Sequence, residues 1–528
     1  MLTLHDTIEA TRAAFRWDIP DRYNIGVDCC DRIAALMPDA PAIIDATDGT
    51  VTTFAGLRAL SNRLANALSA LIGPGDRVGV LLPQRVETAV AHVAITKMAA
   101  ISIPLFKLFG PDALRHRLGA AGAKVVITDA AGAATLAGLG GDLPELVRVV
   151  SVDEDFDAFI ADQPEHFTPH ETGPDDPAIL IFTSGTTGPP KGALHGHRVL
   201  LGHLPGVEMS HDGFPQPGDR IWTPADWAWI GGLLDVLLPA LHHGVPVVAS
   251  RFERFTAEAA FDLIRNHHVR NVFLPPTALK IMRQLDDAPP VVLRSVASGG
   301  ETLGASLIDW GREVLGCTIN EFYGQTECNM IVSSCAALAP AEPGVMGFAV
   351  PGHDVQVIDD AGQPLAAGQE GDIAVRAPDP VMFLRYWDDA QATAAKFRGD
   401  WLVTGDRGML TDTGRIRFRG RADDVITSAG YRIGPAEIED CLLTHPAVQM
   451  AGVVGQPDDL RGEVIVAFVQ LVEGHTPSDT LARALSDHVR ARLSAHEAPR
   501  HVRFVDSLPL TTTGKLIRAD LRKLCAGF

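Results

Sequence analysis

Basic residues are scarce in this 528-residue chain: 45 Lys and Arg stand against 65 Asp and Glu, a formal charge of −20. That shortage argues against the basic faces by which proteins hold nucleic acid backbones. Any anionic substrate has to be drawn in by local Lys and Arg against an adverse overall field. Cysteine is sparse as well. Seven residues with no C-x-x-C spacing argue against a disulfide framework and against the common zinc and redox motifs, and imply reduced thiols. No apolar run is long enough to span a bilayer, since IGGLLDVLLPALHHGVPVV is interrupted by Asp235, Pro239 and His242–His243. The N-terminal MLTLHDTIEATRAAF carries acids and lacks the apolar centre of a secretory signal, so a cytoplasmic protein is expected. No internal repeat stands out.

What is present is ordinary globular composition, 46% hydrophobic and 21% charged, over a length that exceeds one hydrophobic core. Between about residues 75 and 325, β-branched runs alternate with helix-like segments: 77–83, 124–129, 178–182, 245–250, 269–275 and 294–298. Such alternation predicts βαβ units and mostly parallel sheets, divided between two α/β subdomains. After about 340, HDVQVIDDAGQPL and GDIAVRAP predict short strands joined by Asp-Gly turns, a small β-rich subdomain. A charged junction follows, then a tail of about 100 residues with its own core. There Ser478 is placed to cap a helix on which Leu481, Leu485, Val489 and Leu493 recur at spacing four.

IFTSGTTGPPKG, residues 181–192, follows an apolar strand-like run and resembles a phosphate loop. It is not the G-x-x-x-x-G-K-[ST] loop of P-loop enzymes: counted from Gly185, the sixth residue is Pro190, and Gly192 follows Lys191. Adjacent prolines also oppose the helix that such a loop must open. Thr183, Ser184, Thr186 and Thr187 offer hydroxyls, Gly185 and Gly188 let backbone N–H groups approach an anion, and Lys191 adds charge. SGGETL (298–303) and EFYGQTE (321–327) sit at further strand ends, where Tyr323 can stack on a base and Glu327 can hold Mg²⁺. Each is weak alone; a capped turn, a core tyrosine and a solvated glutamate read equally well. TGD (404–406) supplies a carboxylate, and GRADD and SAGYRIG supply Arg421 and Arg432 as partners for phosphate oxygens. LPLTTTGKL sets Lys515 behind three threonines and a glycine.

Taken together, FTSGTTGPPKG, YGQTE, TGD, GRADD…SAGYRIGPAEIE and LTTTGK resemble, in order and spacing, the motifs of the adenylate-forming enzymes, over about residues 25–523. The likeness is to the acetyl-CoA and medium-chain acyl-CoA synthetases in particular. It implies an α/β N-terminal domain (1–419) of two α/β subdomains plus the β-rich one, a hinge (420–424), and a small mobile α+β C-terminal domain (425–528). It implies ATP, Mg²⁺ and coenzyme A. Thr183–Gly188 and Lys191 would hold the β- and γ-phosphates. Gly300, Glu301, Thr302 and Tyr323 would frame adenine, with Glu321, Phe322, Gly324 and Gln325 in the same ATP site. Thr326 would touch the α-phosphate, Glu327 would hold Mg²⁺, and Asp406 with Arg421 would take the ribose. Lys515 would act with Glu327 in catalysis, Asp423 would be the hinge, and Ala429, Gly430, Tyr431 and Arg432 would serve CoA.

For the acid, the resemblance places Trp229, Gly231, Gly299 and Gly324 around the acyl group. Acetate-specific relatives carry tryptophan where this chain has Gly324, which predicts an open pocket floor and a medium-chain, branched or thioether aliphatic acid. An aromatic acid is the alternative, as is a stand-alone adenylation enzyme that loads a carrier protein. Asp226, three residues before Trp229, is where an amino-acid-activating relative would hold an ammonium, although the ADWAW context explains it without an amine. A catalytically silent regulatory protein is disfavoured by the intact Lys191, Glu327, Asp406 and Lys515. The expected partners are small molecules only, and a homodimer is compatible with the resemblance.

Overall fold

The computed structural model describes residues 1–528 other than 184–189, 253, 302, 422–423, 425, 429–430, 459–461, 494–496, 512–514 and 527–528. The chain divides into two compact units, Met1–Val355 with Val375–Leu402, and Gln356–Ala374 with Val403–Phe528.

In the first unit the six predicted runs are strands: Arg77–Leu81, Val125–Thr128, Pro177–Thr183, Val247–Ala249, Asn271–Phe273 and Ser295–Gly299. They fall into two sheets. One runs Arg385–Tyr386, Lys191–Gly196, Pro177–Thr183, Ile101–Pro104, Arg77–Leu81, Val125–Thr128, Arg148–Ser151. The other has Ile319–Tyr323, Ser295–Gly299, Asn271–Phe273, Ile221–Trp222, Val247–Ala249 and Pro41–Asp45 as successive parallel neighbours. Strands covered on both faces have no polar side to present, which is why they read as unbroken apolar runs. The helix Val199–Ser210 is buried along its whole length and Val86–Lys97 over its last ten residues. Both lack a polar stripe, as interior helices do. Lys97 ends the second of them fully buried, and its ammonium is matched by Asp31 at 2.7 Å, Asn62 at 2.9 Å and Ser61 at 3.1 Å.

Strands Glu370–Arg376, Trp401–Leu410 and Ile416–Arg421, most of whose residues belong to the second unit, lie side by side. The predicted Asp-Gly-type turn before them is closed by Asp359, whose Oδ1 accepts from the amides of Ala361 and Gln363 at 2.9 and 2.8 Å. The tail forms a sheet ordered Tyr431–Ile433, Ile426–Ser428, Gly462–Leu471, Val448–Asp458, with His501–Phe504 parallel to Gly462–Leu471. Helices Pro435–Leu443 and Asp479–Arg492 bury Ile438, Leu442, Leu485 and Val489 against it. Ser478 caps the second helix, its side chain accepting from the Leu481 amide at 3.2 Å. The helix closes at Arg492, so Leu493 falls at its C-cap and is exposed, outside the predicted apolar row. Among the described residues no helix is long and apolar enough to cross a membrane.

Candidate active site

The predicted phosphate loop is the connection of a β-hairpin. Thr183 ends one strand, Lys191 begins the next, and the two are partners in an antiparallel ladder that continues through Phe182 and Gly192. The second strand, Lys191–Gly196, was not expected from its residues. Ser184, Gly185, Thr186, Thr187 and Gly188 lie outside the described residues. The loop's exit is held by His116, whose Nε2 is 3.0 Å from the Pro190 carbonyl oxygen. The Lys191 ammonium lies 5.5 Å from the centre of the Tyr386 ring, a cation–π distance, and 3.9 Å from Asp389 Oδ2.

Tyr386 ties this loop to the second predicted motif. Its hydroxyl donates to Oε1 of Glu327, a buried carboxylate 59 residues away in sequence. Burial, then the Glu327 charge and the bond to it, push the Tyr386 hydroxyl well above its ordinary pKa, so it stays a donor. No described residue bonds the second Glu327 oxygen. A single well-oriented carboxylate suits Mg²⁺, which keeps most of its waters and takes its remaining ligands from phosphates. Among the described residues there is no cluster of three or more metal-ligating side chains that would hold an ion on its own. Gln325 is held by Lys396, Nζ to Oε1 2.7 Å. Tyr386, Asp389, Lys396 and His116 were missed by sequence reasoning. RYWDD (385–389) carries two aromatics and two acids, but nothing periodic or glycine-rich marks it.

Gly299 and Phe322 are register partners at the carboxyl ends of two parallel strands, the end where open α/β sheets bind ligands. A Cβ on Gly299 would lie 2.5 Å from the Phe322 ring. Gly231 bears the same relation to Phe273, at 2.9 Å, and the two phenyl rings are 5.2 Å apart. Trp229 packs against Phe106 at 5.3 Å and Phe109 at 6.1 Å. The expectation of an open floor at Gly324 needs correction. A Cβ there would run into the backbone nitrogen of Met330 and lie 2.6 Å from the Asn329 Cα. The glycine serves a close backbone approach, and the missing side chain does not leave a void.

Gly300 and Glu301 follow the Ser295–Gly299 strand, with Glu301 Oε2 3.5 Å from the Lys280 ammonium; Thr302 lies outside the described residues. Glu321 is buried, its amide donating to Ser334 Oγ at 2.7 Å; Thr326 is half-buried beside Gln325. Asp226 is spent locally, its Oδ1 accepting from the Ala228 amide at 2.8 Å and its carbonyl from the Trp229 amide at 3.1 Å. Burial pushes its carboxyl up to about 7.

In the second unit, Asp406 and Arg421 are register partners on adjacent antiparallel strands, Oδ1 to Nη1 3.5 Å. Lys515 is exposed at the end of a closed turn: its amide donates to Thr511 Oγ1 at 3.0 Å, and its carbonyl accepts from the Thr511 amide at 2.7 Å. Asp423, Ala429 and Gly430 lie outside the described residues, as do the side chains of Tyr431 and Arg432, whose backbone forms the strand Tyr431–Ile433.

Two family models match the chain in succession. Residues 30–387 match the family model described as AMP-binding enzyme, and residues 437–515 match the AMP-binding enzyme C-terminal domain. The chain is 34% identical to the human mitochondrial acyl-coenzyme A synthetase ACSM4, covering 99% of this chain and 93% of that protein. It is 32% identical to acetyl-coenzyme A synthetase of Bacillus subtilis, over 89% and 84% of the two chains. Among solved structures, the Brucella canis acyl-CoA synthetase is 34% identical with a TM-score of 0.75, covering 99% of each chain. The anthranilate CoA ligase AuaEII, solved with anthranoyl-AMP, is 28% identical with a TM-score of 0.88, over 97% and 99%.

Proposed function

Because the chain belongs to the AMP-binding enzymes and is an AMP-forming acid–thiol ligase of the acyl-CoA synthetase kind, we propose that it activates a medium-chain, branched or thioether-bearing aliphatic acid and passes the acyl group to coenzyme A. A carboxylate oxygen attacks the α-phosphorus of ATP, the bond to the β-phosphate oxygen breaks, and pyrophosphate leaves. The CoA thiol then attacks the acyl carbon and AMP leaves with the carboxylate oxygen.

The roles proposed for the residues are those that the family's motifs imply. Lys191 and the hairpin loop it closes hold the outer phosphates, and Thr326 meets the α-phosphate. Tyr323 and residues 300–302 frame the base; Asp406, with Arg421 beside it, takes the ribose hydroxyls. Mg²⁺ would be held by Glu327 and would neutralise charge at the phosphates. Lys515 bridges the acid and the α-phosphate, where a fixed cation offsets the charge that develops as two anions meet. Holding the reactants in line supplies roughly 7–11 kcal/mol of the barrier. In this reading residues 1–419 form the adenylating domain, and 425–528 turn about Asp423 so that Lys515 serves the first step and residues 429–432 serve CoA in the second.

The observation that carries the adenylation reading is the Tyr386 side chain, whose ring lies 5.5 Å from the Lys191 ammonium and whose hydroxyl bonds Glu327, so that the two charged groups share one neighbour. The rings of Phe106, Phe109, Trp229, Phe273 and Phe322 favour a second reading, a flat aromatic acid. The test is pyrophosphate release with Mg-ATP over acids from acetate to dodecanoate and over benzoates, with and without CoA. CoA-dependent turnover that peaks beyond propionate supports the aliphatic reading, and a benzoate optimum supports the aromatic one. Release that ignores CoA points instead to loading of a carrier protein.

A further inference from the structure

The turn bearing Lys515 runs directly into the last helix, Arg518–Ala526, and two arginines on one face of that helix reach back to distant parts of the same unit. Arg518 Nη2 donates to both oxygens of Glu439, at 2.7 and 2.6 Å, and its Nη1 lies 3.8 Å from Asp424 Oδ2. One helical turn on, Arg522 Nη2 donates to Asp424 Oδ1 at 2.6 Å. Glu439 is on Pro435–Leu443, the helix that follows the Tyr431–Ile433 strand, and its Oε1 also accepts from the Val453 amide at 2.8 Å. Asp424 is the residue after Asp423, and its amide donates to the Arg421 carbonyl at 3.0 Å. The helix sits close against the sheet because residue 452 is glycine: a Cβ there would lie 2.7 Å from Leu521 and 2.8 Å from Leu516.

We propose that Asp424, Arg522, Arg518 and Glu439 are positioning residues that fix the helix following Lys515, and Lys515 with it, against residue 424 and the Pro435–Leu443 helix. The cluster joins the helix that begins three residues after Lys515 to Asp424, which is next in sequence to the proposed hinge. Charge-assisted, partly buried pairs resist shear far better than apolar contact, because each bond fixes a direction. A turn about residue 423 then delivers Lys515 to a set position rather than to a range of them. This inference rests on the two-step reading above.

The experiment compares Arg522→Gln and Asp424→Asn with the unaltered protein in two half-reactions: acyl-adenylate formation from acid and Mg-ATP, and thioester formation from supplied acyl-adenylate and CoA. Loss of one charge-assisted bond predicts a fall of about tenfold in the kcat of adenylation. The KM for ATP stays unchanged, and thioester formation stays within about twofold, since Lys515 serves only the first step. Arg522→Lys restores most of the loss, and the double variant is no slower than either single one. Equal falls in both half-reactions, or none, would overturn the proposal, because a merely structural pair lowers both together. Lys515→Ala is run beside them. If the unaltered protein forms no adenylate, or if Lys515→Ala does not act on adenylation alone, the two-step reading has failed; if only the arginine and aspartate variants behave otherwise, the positioning role alone has failed.

Discussion

Tyr386 connects two side chains that the sequence keeps far apart, Lys191 on one strand and Glu327 after another. Its hydroxyl fixes the rotation of the Glu327 carboxylate, so Tyr386→Phe loosens the proposed Mg²⁺ ligand without removing it. A hydrogen bond to a charged group contributes about 1.5–3 kcal/mol, which predicts at least about a tenfold higher Mg²⁺ requirement for adenylation. Titration of Mg²⁺ at saturating acid and nucleotide checks this, and an unchanged half-saturation point would remove Tyr386 from the site. Gly324 gives a second residue-scale prediction. A methyl group there meets backbone, so Gly324→Ala costs about 1–3 kcal/mol in thermal denaturation, as overpacking does. If the floor is open after all, Gly324→Ala leaves the melting temperature alone and only trims the acid panel. The motif residues were legible because glycine, hydroxyl and charge crowd together in short loops. Tyr386 was not, since its contact with Glu327 closes across 59 residues and leaves no local mark.

At the scale of elements, what could be read depended on burial. Runs such as AILIF and RVGVLL announced their strands because both faces are covered. KGALHG, the strand Lys191–Gly196, did not: two glycines, a lysine and a histidine carry no strand preference, and only pairing with Pro177–Thr183 makes it one. The Asp479–Arg492 helix was legible down to its cap, but Leu493 continued the spacing beyond the helix end. Ser478→Ala removes the bond to the Leu481 amide and predicts a loss of about 1 kcal/mol with kinetics unchanged. Urea unfolding monitored beside steady-state turnover tests it, and a kinetic change without a stability change would contradict the assignment.

Across the whole molecule, the distribution of buried histidine sets the response to acid. Burial pulls His92, His197 and His203 down to about 4, and His195 and His211 down to about 3. Unfolded, each takes a proton near pH 6.5. Between that value and about 4 the unfolded chain therefore binds more protons, and stability falls as pH falls, by up to about 1.4 kcal/mol per pH unit for each group. Buried carboxyls act in the opposite direction. Asp226 and Glu439, raised to about 7, and Asp235, raised well above its ordinary value, favour the fold less as pH climbs from the ordinary carboxylate range. Five groups outweigh three, which predicts a net loss of stability from pH 6.5 to 4.5. Urea midpoints that stay level over that range would contradict it. Charge also bears on function at this scale: with a net −20, the protein must meet ATP through local cations.

The most direct test of the chemistry follows one oxygen atom. The protein is given Mg-ATP, CoA and a medium-chain acid whose carboxylate carries ¹⁸O, and the products are weighed by mass spectrometry. Attack on the α-phosphorus followed by thioester formation predicts AMP bearing one labelled oxygen and pyrophosphate bearing none. Label in inorganic phosphate with formation of ADP, or acyl-CoA formed with unlabelled AMP, would contradict it.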